Sequence, residues 1–495
     1  MKHSDILISK SRYMAGLRCD KLLWCRYHDT DLFPDYSKST LVRFAEGNRI
    51  GELAQRGFPG GKEAAPEKYL AEDTVPPTKE LIKLRIPIYE AGFVHGPAYV
   101  KIDILNPVDE DEWDLYEVKS STGYSSEKHL ADVAIQRYAA EGSGIKIRRC
   151  YLMHINNQYV LQGALDPSAL LKPTDVTTEV DTFISNVNGD LERMLAIIEE
   201  KECPDVAIGP HCNAIRTCDL HSVCWKDMPE HHVLTFYSDR KKLGYSYLAQ
   251  GVTDLKDVVQ DDGLSNKQKI QVAAVRTGQM RVDKEAVAQF LKKLEYPLSF
   301  LDFETIGAGI PLFEGMRPYR QIPFQYSLHV INAPGDDPVH YEFLPDKAED
   351  PRPSLLEALK ADLPTTGSVV AYSSSVEAGA IRNLAALDPS ANSWAEDVIS
   401  RMVDLLKPFS SFAVYHPDQN GSASMKSVLP ALTGEGYDDM EVSGDIAGPE
   451  WQRITFKDIP PKEVAEVRQD LLDYCKLDTN GMVQIVEVLQ KLVTD

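Results

Sequence analysis

The chain has no long hydrophobic run: nowhere in its 495 residues do apolar side chains accumulate to the ~20 that a membrane helix requires. The opening stretch, MKHSDILISKSRY, has no apolar core followed by a small-residue cleavage site, so it does not read as a secretory signal and a cytoplasmic protein is expected. Internal repeats and low-complexity tracts are missing too, which excludes solenoids and compositionally disordered arrays. Positive charge is short, with 53 Lys and Arg against 75 Asp and Glu and a formal net charge of −22. Nucleic-acid binders usually carry a basic footprint, because neutralising phosphates releases counterions. Charge alone therefore does not suggest nucleic acid, although carboxylates that hold cations reverse the local sign. Two short basic groups, Lys146–Arg149 and Asp239–Lys242, are explained as well by a solvated face as by a phosphate track.

What is present is an ordinary globular composition, 43% apolar and 26% charged. Single cores stop growing at roughly 250–300 residues, so two large domains and a connector are expected. The first ~40 residues read as helical, and a further helix is expected around Leu41–Gly57. Short β-type runs, IPIYEAGFV, AYVKIDILNPV and WDLYEVKSS, predict an antiparallel meander. A helix follows over Ser126–Glu141, then a hairpin in RRCYLMHINNQYVL turning at Asn156–Asn157, then a long amphipathic helix over Asp175–Lys201. The spacing assigns 1–230 to a first domain, 231–296 to a helical connector and 297–495 to a second domain. The second domain opens on the strand PLSFLDFET, continues through FQYSLHVI and a strand at Gly367–Tyr372, and closes on a helix over Asp470–Leu489.

Within the first domain, Glu117 and Lys119 stand two apart on a strand and so share a face, with Asp103 on the strand before. Two converging carboxylates suit a hard cation such as Mg²⁺, and a neighbouring lysine can orient the attacking water and offset phosphate charge. Such a triplet alone is a weak signal, since a solvated strand face with an incidental ion pair gives the same pattern. In the second domain, Asp302-Phe303-Glu304 again puts two carboxylates on one strand face, and Tyr474 and Asp478 lie four apart on one helical face. The eight cysteines are unevenly spread: Cys19 and Cys25, then Cys150, then Cys203, Cys212, Cys218 and Cys224 close together, then Cys475. Cytoplasmic disulfides are not expected. Five residues separate each consecutive pair among Cys212, Cys218 and Cys224, wider than the two to four of zinc ribbons.

These features occur in an order that resembles the PD-(D/E)XK nuclease superfamily, in its RecB-like branch of CRISPR-adaptation exonucleases and AddB-type helicase–nucleases. The matching segments are GLRCDKLLW, EGNRIGELA, IYEAGF, Asp103, the Glu117/Lys119 pair and AIQRY. The resemblance implies a restriction-endonuclease-like α/β domain with Asp103 and Glu117 as metal ligands, Lys119 catalytic, and Gln136 and Tyr138 lining the site. Many relatives have a His after the Gly of the first helix where this chain has Gly51, so either Glu46, Glu52 or Glu90 supplies the remaining ligand or the site runs with fewer. In part of that branch one N-terminal and three C-terminal cysteines hold a [4Fe–4S] cluster, which here implies Cys19, Cys212, Cys218 and Cys224. Such a cluster ties the two ends of the domain together. A zinc site and buried free thiols remain alternatives for this set, and for Cys25, Cys150, Cys203 and Cys475 the free-thiol reading is adopted.

The second domain is similar to DnaQ-like exonucleases of RNase H-type fold, in the tyrosine variant of their motif. That resemblance implies two metal ions held by four carboxylates: Asp302, Glu304, Asp478 and a middle acid, read as Glu377, with Asp404 as a further candidate. Tyr474 would position the water. The segment GSASMKSVLPAL, with Ser422 and Lys426, resembles uncharacterised bacterial proteins that fuse these same two modules. Together the resemblances imply a Mg²⁺- or Mn²⁺-dependent nuclease, expected at both sites, with DNA favoured over RNA as partner. A nucleic-acid- or partner-binding scaffold with inert sites is the alternative, and hydrolysis of small nucleotides is a third reading.

Overall fold

In the computed structural model, described for residues 6–124, 126–214, 216–240, 242–259, 263–437 and 440–494, the chain divides into two compact units. Lys241 of the second basic group, Ile215 within the cysteine segment and the first five residues lie outside that description. One unit comprises Met1–Lys226 with Ala308–Tyr319, the other Asp227–Gly307 with Arg320–Asp495. Both mix helices with sheet, and no helix among the described residues is long and apolar enough to cross a membrane.

The first unit is built on a seven-stranded sheet. Its elements begin with β1 (Ile8–Ser9), α1 (Lys10–Arg18), α2 (Asp20–His28), α3 (Lys38–Gln55), β2 (Lys62–Glu63) and α4 (Ala71–Leu84). The expected meander follows as β3 (Ile88–His95), β4 (Ala98–Pro107) and β5 (Glu112–Lys119), each antiparallel to the next. Helix α5 (Ser126–Gly142) then crosses over so that β6 (Lys146–Ile155) lies parallel to β5. The hairpin expected at Asn156–Asn157 does not form. The side chain of Asn156 instead caps a local turn by accepting from Gln158 N at 3.1 Å, and Tyr159 and Leu161 bury in a core with Ile50 and Leu53. The strand that returns antiparallel to β6 is β7 (Leu171–Asp175), reached through the single turn α6 (Pro167–Leu170), which is capped by Asp166. Packing of two apolar side chains outweighed a turn signal that rested on two asparagines. The amphipathic α7 (Thr177–Glu199) buries Val187, Leu191 and Met194 against the same core as Val133 and Ile135 of α5. The turn α8 (His221–Cys224) carries the last of the clustered cysteines.

In the second unit, the segment expected as a connector forms α9 (Leu243–Ala249), α10 (Asn266–Thr277), β8 (Arg281–Val282) and α11 (Lys284–Leu291). Val233, Phe236, Leu255, Val258 and Val272 give it a small core, and the contacts group it with the residues that follow. The main sheet runs β11-β10-β9-β12-β13. Its strands are β9 (Leu298–Ile306), β10 (Ile322–Ile331) and β11 (Val339–Phe343), then β12 (Ser368–Ala371) after α12 (Arg352–Asp362), then β13 (Met402–Asp404) after α13 (Ser374–Ala385) and α14 (Asn392–Ser400). β9 is antiparallel to β10 and parallel to β12. The short α15 (Lys407–Ser410) and β14 (Val414–Tyr415) lead to α16 (Met425–Thr433), α17 (Gly444–Phe456) and α18 (Pro461–Thr494). The final helix is longer at both ends than its sequence pattern suggested. Three side-chain bonds fix its rotation on β10: Gln325 Nε2 to Leu471 O at 2.7 Å, and Ser327 and His329 to Thr479 Oγ1 at 2.7 and 2.8 Å.

Candidate active sites

In the first unit, the ladder pairs Tyr89 with Ile104 and Ala91 with Ile102, and pairs Ile104 with Tyr116. Continuing those registers puts Glu90, Asp103 and Glu117 in one row across three strands. Asp103 Oδ2 accepts from Val118 N at 2.7 Å, so a side chain takes over where the β4–β5 ladder opens. Glu117 is 2% exposed and is the centre of the cluster. Lys10 Nζ donates to both of its oxygens at 2.9 and 3.1 Å, Lys119 Nζ donates to Oε1, and Gln136 Nε2 donates to Oε2 at 2.7 Å. Lys119 also pairs with Asp132 of α5.

Burial alone would push Glu117 up, but the Lys10 and Lys119 ammoniums hold it well below the usual carboxylate range. Asp103 is pushed up to about 8 by burial and by the Glu117 charge. Asp132 is also raised by burial, and its Oδ1 is buried with no hydrogen-bond partner. Of the three glutamates left open by sequence, Glu90 adds to the field at Asp103 and pairs with Lys101 at 2.9 Å. Glu46 accepts from Gly309 N at 2.7 Å, and Glu52 is exposed.

Gln136 joins this cluster; Tyr138 does not. Two residues along a helix turn by about 200°, and Tyr138 OH instead donates to Asn188 of α7 at 3.0 Å. Lys10 and Asp132 were not found by sequence reasoning. Asp132 lies four residues before Gln136 on one face of α5, a spacing that would have exposed it. Nothing in the sequence ties Lys10 to a glutamate 107 positions later.

The second unit assembles its own group. Asp302 and Glu304 project from one face of β9 while Phe303 packs in the core with Tyr326 and Leu328. Ligand atoms of Asp302, Glu304 and Cys475 all lie within 4.8 Å of one another. Tyr437 OH donates to Asp478 Oδ1 at 2.5 Å, and Tyr474 OH accepts from Gly444 N at 3.1 Å. Lys426 Nζ stands 5.4 Å from the ring centre of Tyr474 and 5.6 Å from that of Tyr437. Burial, with the neighbouring Asp478, pushes Glu304 up to about 8. Burial also takes Asp478 to about 6, against the opposing pull of Tyr437 and Lys426. Asp302 is raised well above its ordinary value by burial and by Asp478, Glu304 and Glu377.

Glu377, on the first turn of α13, is 3% exposed, and its Oε2 has no hydrogen-bond partner. Burial and the Asp404 charge push it up to about 8. Asp404 Oδ1 is committed to backbone, accepting from Ser373 N and Leu406 N at 3.0 Å each. Ser422 bonds Ser424 at 3.0 Å. Tyr437 and Cys475 are further members that no motif had indicated.

Cys19, Cys212, Cys218 and Cys224 line one small cavity, together with Lys21 and His211. Each of Cys19, Cys212 and Cys224 is raised by burial and by neighbouring thiols of the same set. Arg18 braces the segment by donating to the carbonyls of His211 at 2.9 Å, Arg216 at 2.7 Å, and Cys212. Cys25 and Cys203, read as unrelated free thiols, approach to 4.0 Å. Cys150 is buried.

A family profile described as a domain of unknown function, DUF2779, matches residues 299–424. The match takes in Asp302, Glu304, Glu377 and Asp404 and stops short of Lys426, Tyr474 and Asp478. No curated protein matches the chain.

Proposed function

We propose that the chain is a divalent-metal-dependent nuclease with two candidate sites, an N-terminal one of PD-(D/E)XK type and a C-terminal one of DnaQ-like, RNase H type. The observation that carries this reading is the acidic group of the second unit. Asp302, Glu304, Glu377 and Asp478 raise one another's pKa or are raised together by burial. Gathering buried carboxylates without a compensating charge is costly, and divalent cations supply that charge. Two such ions, when bound, stabilise the attacking and leaving oxygens of a phosphodiester displacement. Asp302, Glu304 and Asp478 would hold them, with Glu377 as the middle acid.

The surrounding residues have separable tasks. Tyr437 keeps Asp478 oriented through its hydroxyl. Tyr474 accepts from Gly444 N, which leaves its own proton free to donate to a water or a phosphate oxygen. Lys426 contributes positive charge at Glu304 and Asp478. At the first site, Asp103 and Glu117 would hold a metal ion, with Glu90 adjacent, while Lys119 is kept on station by Asp132.

For the cysteine set we infer a [4Fe–4S] cluster. The four cysteines line one small cavity, and five residues lie between Cys212 and Cys218 and between Cys218 and Cys224, wider than the two to four of zinc ribbons.

The test is a divalent-dependent assay on end-labelled single- and double-stranded DNA and RNA, with each site altered in turn. Cleavage lost in steps with Glu117→Gln and Asp302→Asn supports the reading. Absence of cleavage on every substrate, with no divalent binding by calorimetry, overturns it in favour of a scaffold.

A further inference from the structure

Glu117 has no acceptor position left for a cation. An ionised carboxyl offers about four, and four donor contacts fill them: Lys10 and Lys119 on Oε1, Lys10 and Gln136 on Oε2. A divalent ion that reaches this carboxylate must dislodge a donor. Gln136 is fully buried and also bonds Asp132 O at 3.1 Å. Lys119 is held from its other side by Asp132 Oδ2. Lys10 differs from the other two in hydrogen-bonding Glu117 alone. Its next carboxylate, Asp132 Oδ1, is 3.7 Å away, and its side chain is 27% exposed.

Its backbone, by contrast, is well fixed. Lys10 is the first residue of α1, directly after the N-cap Ser9, whose hydroxyl accepts from Arg12 N. Ile8 and Ser9 pair with Ala98 and Tyr99 at the start of β4. The ammonium is thus carried on a flexible four-carbon stem from an anchored Cα.

We propose that Lys10 is a displaceable active-site lysine: its ammonium holds the cation position at Glu117, yields it to a divalent ion, and then faces the substrate phosphate. This rests on the nuclease reading of the first site. Lys119 hydrogen-bonds both Glu117 and Asp132, so it must give up a second bond to follow a phosphate group. Lys10 stays within a side-chain length of Glu117 after displacement, so one residue competes with the metal before binding and complements the anionic substrate after it.

The experiment titrates Mn²⁺ alone into the full chain carrying Asp302→Asn, with Glu117→Gln added in parallel to identify the binding that belongs to the first site. Losing a charge-assisted hydrogen bond that opposes the ion should tighten Mn²⁺ about tenfold in Lys10→Met. Lys10→Arg keeps the cation and should stay within about twofold of the parent. At saturating Mn²⁺, Lys10→Met should cleave a labelled oligonucleotide about tenfold more slowly. A purely structural role would instead weaken Mn²⁺ binding as the site loosens. Unchanged or weaker Mn²⁺ affinity in Lys10→Met, with Glu117-dependent binding intact, overturns the displacement and leaves the nuclease reading standing. No Glu117-dependent binding in the parent overturns both. If Lys10→Met does not fold, Lys10→Gln provides the same comparison.

Discussion

Gln136 donates from Nε2 to Glu117 Oε2 at 2.7 Å, joining the helix that crosses over between two parallel strands to the strand it leaves. The bond fixes the rotation of α5 above the sheet and so decides which of its residues meet the carboxylates. Asp132, one turn earlier, is brought to Lys119, and Tyr138 is turned toward α7.

Glu117→Gln should remove divalent-dependent cleavage at the first site while the second continues. It also leaves Lys10 and Lys119 without their shared carboxylate. Breaking a buried ion pair on one side costs about 3–5 kcal/mol, and a partly exposed lysine brings that toward the lower end. A fall in melting temperature alongside the lost activity is expected by differential scanning calorimetry.

Combining Lys119→Ala with Asp302→Ala should abolish all divalent-dependent degradation of nucleic acid. Cleavage of labelled DNA by the double variant at the parent rate would sink the assignment of both sites.

Stability without divalent ions should fall as pH rises. Glu304 and Glu377 are raised to about 8, so the folded state binds protons that the unfolded chain releases near pH 4.3. The contribution is complete below that value and is lost progressively as pH climbs through about 8. The melting temperature in a chelator should therefore drop between pH 5.5 and pH 8, and Mn²⁺ should restore it most at the higher pH. A chelated protein equally stable across that range would contradict the electrostatic account of the second site.

Protein purified without oxygen should be brown and carry about four irons with acid-labile sulfide. Cys218→Ser should lose the colour. Arg18→Ala should lower iron content with Cys218 intact, because Arg18 ties three carbonyls of the cysteine segment to α1. Stoichiometric zinc and no iron would overturn the cluster.

Tyr437→Phe removes only the hydroxyl that orients Asp478. Activity of the second site should fall while the fold holds, and a rate equal to the parent would show that Asp478 needs no such support.

The sequence by itself determined the elements that carry the chemistry. Alternation set β5 so that Glu117 and Lys119 share a face, and helical spacing put Tyr474 and Asp478 one turn apart; both relations are local and follow from backbone periodicity. The return strand at Leu171–Asp175 was not legible, because burial of Tyr159 and Leu161 in a core shared with Ile50 and Leu53, far away in sequence, decided where the chain turned back. The tertiary structure alone brought Lys10 to Glu117, Tyr437 to Asp478, and Cys475 beside Asp302. These contacts depend on how sheet and helices pack, and chain separation carries no trace of a contact set by packing. Which carboxylates keep their charge was decided at the same level, since burial and neighbouring ammoniums, rather than residue type, hold Glu117 down and raise Asp103.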